Sequence, residues 1–111
     1  MTDRELLELA AKAAGVEGQY FESENGIHIH TGIYRPGLDY YWNPLISDSE
    51  ALRLAVNLQF DLSLGHGGAS VKICGRRILA EELCHPDSGE DLACARRAIV
   101  RAAAEIGRAM P

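Results

Sequence analysis

The stretch GLDYYWNPL, residues 37–45, sets Tyr40, Tyr41 and Trp42 side by side just before an Asn-Pro step. Aromatic rings stack on flat ligands and anchor protein partners, and the tyrosines add a hydroxyl at the rim. In an extended segment neighbouring side chains point to opposite faces, so Tyr40 and Tyr41 cannot both turn inward. At least one ring is therefore expected in solvent. Tyr34 and Arg35 are near enough in sequence to complete such a surface. Trp42 and Asn43 also fit a purely structural role, with the indole anchoring the loop, Asn43 bonding nearby backbone and Leu45 packing on the next helix.

Other residues carry weaker signals. His28 and His30 share a face if their segment is a strand, which would let two imidazoles grip one metal, with His66, His85 or Cys84 as a third ligand. No compact four-ligand spacing exists, and a polar strand face opposite Ile27 and Ile29 explains the same pattern. GHGGAS, residues 65–70, lacks the Gly-Lys-Ser/Thr ending of a phosphate loop. It reads as a hairpin connection from which His66 and Ser70 can touch a ligand. Arg97, Arg101 and Arg108 fall on one side of a helix, either as a solvated face or as an anion site. No serine or cysteine sits in a nucleophile elbow or a cysteine-protease signature. The expected site is therefore a binding site formed by Tyr34, Arg35, Tyr40, Tyr41, His28, His30, His66, Ser70, Arg97 and Arg101, with no cofactor, no metal and no catalytic residue.

These side chains need a scaffold. At 111 residues, 47% hydrophobic and 24% charged, the chain reads as one globular domain over 1–111. The net charge of −5 disfavours duplex nucleic acid as a partner. No apolar run approaches the roughly 20 residues of a membrane span, and the charged opening segment does not read as a signal peptide. The three cysteines, with no CxxC pair, argue for a reducing cytosol over a disulfide framework.

Thr2 and Glu5 have capping-box spacing, and Gly15 is placed to end the helix they open. Asn25-Gly26 signals a hairpin between strands at about 19–23 and 27–34, and Arg35-Pro36-Gly37 stops the pairing. Ser47 and Glu50 form a second capping box, opening a helix to about Gln59 with Leu52, Ala55, Val56 and Leu58 inward. Strands follow at FDLSL and VKIC, and a third over 77–83. An Ala-rich helix runs from about Ser88 to Met110, with Leu92, Ala95, Ile99, Ala102, Ala103 and Ile106 on its apolar face. The order α-β-β-α-β-β-(β)-α implies an α+β domain, an antiparallel sheet of four to five strands with helices packed on one face. The free face or edges favour a partner, and a homo-oligomer is expected.

Three segments carry a resemblance: DRELLELAAKAAG at the start, WNPL followed by DSEALRLAV in the middle, and ARRAIVRAAAEIGRAM at the end. Together they resemble small accessory proteins encoded by tailed phages and prophages of Gram-negative bacteria. The likeness is weak across residues 16–41 and 60–85, and it brings no catalytic residues to carry over. It implies a protein of the cytoplasm of an infected bacterial cell, active in host takeover or counter-defence. The expected activity is non-catalytic sequestration of a small nucleotide-derived signal, with bases stacked on exposed rings and phosphates held by arginines. The competing expectation is a protein-binding inhibitor of a host defence complex, whose acidic residues face a basic partner. A His28/His30 metal enzyme ranks behind both.

Overall fold

The computed structural model describes residues 1–24, 30–65, 68–73, 77–83 and 91–111. Three helices and two antiparallel sheets make an α+β domain, as expected, but the strands divide into two sheets of three where a single sheet was anticipated.

Helix α1 spans Asp3–Ala14. The Thr2 hydroxyl accepts the Glu5 amide at 3.2 Å and donates to the Glu5 carboxylate at 3.1 Å, while Gly15 closes the helix at φ +72°. Leu6, Leu7, Ala10 and Ala11 are buried.

The first sheet is β1 (Gln19–Phe21), β2 (Gly32–Arg35) and β3 (Tyr40–Trp42), each antiparallel to the next. The second strand begins at Gly32, not near Ile27, and Asn25–Ile29 lie outside the described residues. The aromatic stretch read as a loop is β3. Pro36 and Gly37 do not end the pairing; they reverse the chain. The Leu38 amide bonds the Arg35 carbonyl at 3.2 Å, and Asp39 takes φ +54°, returning Tyr40 opposite Arg35. Asp tolerates that left-handed conformation better than most residues.

Helix α2 spans Asp48–Asn57, with Ser47 accepting the Glu50 amide at 3.3 Å. Its buried side is Ala51, Leu54 and Ala55. Leu52 and Val56, expected inward, are 59% and 65% exposed. Ala51, Leu54, Ala55 and Leu58 form one stripe at i, i+3, i+4 and i+7, and Leu52 and Val56 fall off it.

The second sheet is β4 (Phe60–Gly65), β5 (Gly68–Ile73) and β6 (Arg77–Leu83). Gly65 pairs with Gly68, so most of the Gly-rich segment is strand, not loop. Ala69, Val71 and Ala80 face the core, and a register shift falls between Val71 and Lys72.

Helix α3, Asp91–Ala109, packs against β5, β6, α1 and α2. It is therefore buried over a wide arc: Ala98, Ile99, Val100, Ala102, Ala103, Ala104 and Gly107. Leu92, expected inward, is exposed. A Cβ at Gly107 would run into the Leu9 backbone carbonyl, so only glycine permits the observed approach of α1 and α3. Arg96 ties α3 to the entry of α2, donating to the Leu45 carbonyl at 2.8 Å and to Asp48 at 2.6 Å. Cys94 is disulfide-bonded, which corrects the expectation of reduced thiols; Cys74 and Cys84 lie outside the described residues. No described helix is long and apolar enough to cross a membrane.

Candidate functional site

Strand alternation sorts the aromatic residues of the first sheet by face. Tyr20, Ile33 and Trp42 lie side by side in register and face inward; Ile33 and Trp42 are buried in the core that Tyr20 packs against. The next row points the other way. Tyr34 stands directly opposite Tyr41, with ring centroids 5.1 Å apart. Phe21 meets both edge-on, at 6.1 and 6.5 Å, and the His30 imidazole lies 5.7 Å from the Tyr41 ring. Gly32 lets the strands close under this cluster: it adopts φ +141°, and a Cβ there would press on the Trp42 carbonyl and the Asn43 side chain.

Beside these rings opens a cleft of about 790 Å³ between the outer face of the sheet and the start of α2. Tyr34, Tyr41 and His30 form one wall, and Ile46, Ser47 and Glu50 the other. Tyr40, Asp39 and Asn43 complete its lining.

Asn43 explains why the far wall holds its shape. Its amide nitrogen Nδ2 donates to the Thr31 carbonyl at 3.0 Å, and its Oδ1 accepts the Leu45 amide at 3.1 Å. Its backbone carbonyl accepts the amides of Ile46 and Ser47, and its own backbone amide donates to Glu50 at 2.7 Å. A buried side-chain amide satisfied in this way is scaffold. Glu50 reaches past its own helix cap to make that bond, so the second capping box is only half closed.

Two titratable groups of the cleft are displaced from their ordinary values. Partial burial raises the Glu50 carboxyl, against the opposing pull of the Asn43 amide and of Arg53 and Arg35. The Tyr34 phenol is raised chiefly by the hydrogen bond it donates to Asp39, 2.9 Å away, and then by the Asp39 charge.

The structure brings together four of the expected site residues, His30, Tyr34, Tyr40 and Tyr41, in one cleft. Arg35 lies just beyond: its guanidinium sits 5.8 Å from the Tyr40 ring centroid and donates to the Tyr40 hydroxyl at 3.1 Å. It lines a separate hollow of about 240 Å³ with Arg53, Leu54 and Asn57, which shares Tyr40 and Glu50 with the cleft. Ser70 belongs to the other sheet, paired with Ser63. Arg97 donates to Asp3 at 3.1 Å and Arg101 is engaged within the chain, so neither joins the cleft as a shared anion site. His28 and His66 lie outside the described residues, and His30 occupies a turn before β2, not a strand. Among the described residues no group of three His, Cys, Asp or Glu side chains is placed to hold a metal ion.

Sequence reasoning missed Phe21, Asp39 and Glu50. The turn at Pro36–Asp39 was the available signal, because a hairpin there puts Tyr34 opposite Tyr41 and Asp39 at the end of the pair. The arrangement offers ring faces, two carboxylates and a rigid polar floor, which is equipment for holding a partner. Comparison with models of protein families, with curated proteins and with solved structures finds no match for this chain.

Proposed function

We propose that the chain is a binding protein that acts by occupancy, without catalysis, and that the aromatic cleft takes its partner. The observation that carries this reading is the cluster of Phe21, Tyr34, Tyr41 and His30 on the outer face of the first sheet, opening on a cleft with a fixed far wall. The charged groups lining the described cleft are the acids Asp39 and Glu50, which favours a protein partner with a basic surface. Within the setting that the resemblance to tailed-phage accessory proteins implies, such a protein blocks a host defence complex.

A second reading, sequestration of a nucleotide-derived signal, draws support from one observation. Arg35 and Arg53 line the hollow that shares Tyr40 and Glu50 with the cleft, and guanidinium groups there would suit a phosphate. Titration calorimetry with cyclic dinucleotides and ADP-ribose tests it, and an absence of heat across that panel removes it.

The protein-directed reading is tested by a benzophenone amino acid in place of Tyr41 and, as a control on the other sheet, in place of Ser70. Irradiation in bacterial lysate is expected to yield one discrete adduct from position 41, lost on adding Tyr34→Ala, and none from position 70. Equal labelling from both positions, or none from either, would overturn it.

A further inference from the structure

Three surface features offer something to a partner. The exposed pair Leu52 and Val56 on α2 has nothing in the structure to say what covers it. The hollow around Arg35 and Arg53 already contains its own counter-charge in Glu50. The cleft itself carries an inference further.

We infer that the cleft takes an arginine side chain presented by a basic protein partner. This rests on the reading of the cleft as the partner site and names the group that enters it. A guanidinium is a flat cation. It lies against aromatic faces by stacking and by attraction to the ring quadrupole, and its fork of donors matches a carboxylate. The cleft supplies both. Tyr34 and Tyr41 present rings tilted at 53° to each other, and Asp39 lines the same cleft, already fixed by the Tyr34 hydroxyl. A carboxylate accepts several hydrogen bonds, so the one from Tyr34 leaves capacity for a fork of donors. Ile46, 42% exposed on the opposite wall, offers apolar surface to the methylene stem.

The molecule already uses this chemistry twice within itself. Arg4 lies 5.5 Å over the Tyr20 ring, and Arg35 lies 5.8 Å over the Tyr40 ring with a hydrogen bond to its hydroxyl. At Tyr34 and Tyr41 the rings and the acid are in place, and no guanidinium lies over either ring among the described residues. An anionic group entering the same cleft would meet the Asp39 carboxylate in place of a cation. The net charge of −5 steers a basic partner toward the surface and a polyphosphate away from it.

The test is titration of the intact chain with acetyl-Gly-Gly-Arg-Gly-Gly-amide, followed through the ring ¹³C–¹H NMR signals of Tyr34 and Tyr41. The matched citrulline peptide keeps the shape and removes the charge. The arginine peptide is expected to shift both rings saturably, with the citrulline peptide weaker by about tenfold. Asp39→Asn, which keeps the left-handed turn accessible, is expected to weaken the arginine peptide by about three- to tenfold. Equal binding of arginine and citrulline peptides overturns the inference, as does an arginine peptide that leaves both rings unmoved. If ADP-ribose moves the rings where the arginine peptide does not, the inference falls while the cleft remains a partner site. If neither probe moves them, the inference falls, and cross-linking from position 41 alone decides whether the cleft is a partner site.

Discussion

Both sheets are three-stranded antiparallel meanders with one face toward the core, yet their outer faces differ. In the first, that face carries Phe21, Tyr34 and Tyr41. In the second, Asp61 stands opposite Lys72 and Ser63 opposite Ser70, away from buried Ala69 and Val71. The second arrangement is self-sufficient: its outward side chains are polar or charged, and water satisfies them. The first is only partly so. The rings gain about 0.5–1.5 kcal/mol per pair from one another, but much of their surface still faces solvent beside a cleft. Equal architecture thus carries two outer faces of different chemistry, one aromatic and one polar.

The comparison breaks most sharply if the two sheets are not one cooperative unit. Ile33 in β2 and Val71 in β5 are both fully buried in a single core. Ile33→Ala is expected to cost about 2–5 kcal/mol and Val71→Ala, with fewer atoms lost, about 1–3. Trp42 is the chain's single tryptophan and lies in the first sheet. Urea unfolding followed by its fluorescence should therefore register Val71→Ala as an earlier midpoint with unchanged slope. A Trp42 transition indifferent to Val71→Ala would show two separately unfolding halves.

A smaller effect sharpens the contrast in polar groups. Asn43→Ala leaves the Thr31 carbonyl and the Leu45 amide without their partner, an expected loss of about 1–3 kcal/mol. Ser63→Ala, on the exposed face of the second sheet, is expected to stay within about 0.5 kcal/mol. Equal losses in chemical denaturation would mean that the wall of the cleft is no more rigid than an ordinary surface.

Much of this frame is legible in the residues, because its signals are local. Thr2 with Glu5, Ser47 with Glu50, and Gly15 each mark a helix end through bonds that span three or four residues. Alternation correctly separates Tyr40 from Tyr41. What escaped reading depends on partners distant in sequence. Strand β3 hides behind Pro36, Gly37 and Pro44, which look like loop residues until Asp39 is seen to turn left-handed. Which stripe of α2 turns inward is set by its neighbours, and Leu52 and Val56 fall off the one that does. The cleft was half visible for the same reason: the tyrosines stand out by type, while Phe21 and Glu50 join them only through register and helix placement.

The finest test concerns Glu50, whose raised value depends on being partly buried at the foot of the cleft. A carboxyl raised in the folded state binds its proton more tightly folded than unfolded, so stability falls as pH climbs from the ordinary carboxylate value of 4.5 through the raised one. Glu50→Gln retains an acceptor for the Asn43 amide and cannot ionise. It should flatten the pH dependence of the urea midpoint in that window and match or exceed the parent above it. The same proton bears on recognition: below the window Glu50 is neutral, and a guanidinium probe should bind more weakly there than at neutral pH. An unchanged pH profile in Glu50→Gln would remove the burial argument on which the charge of the cleft's far wall depends.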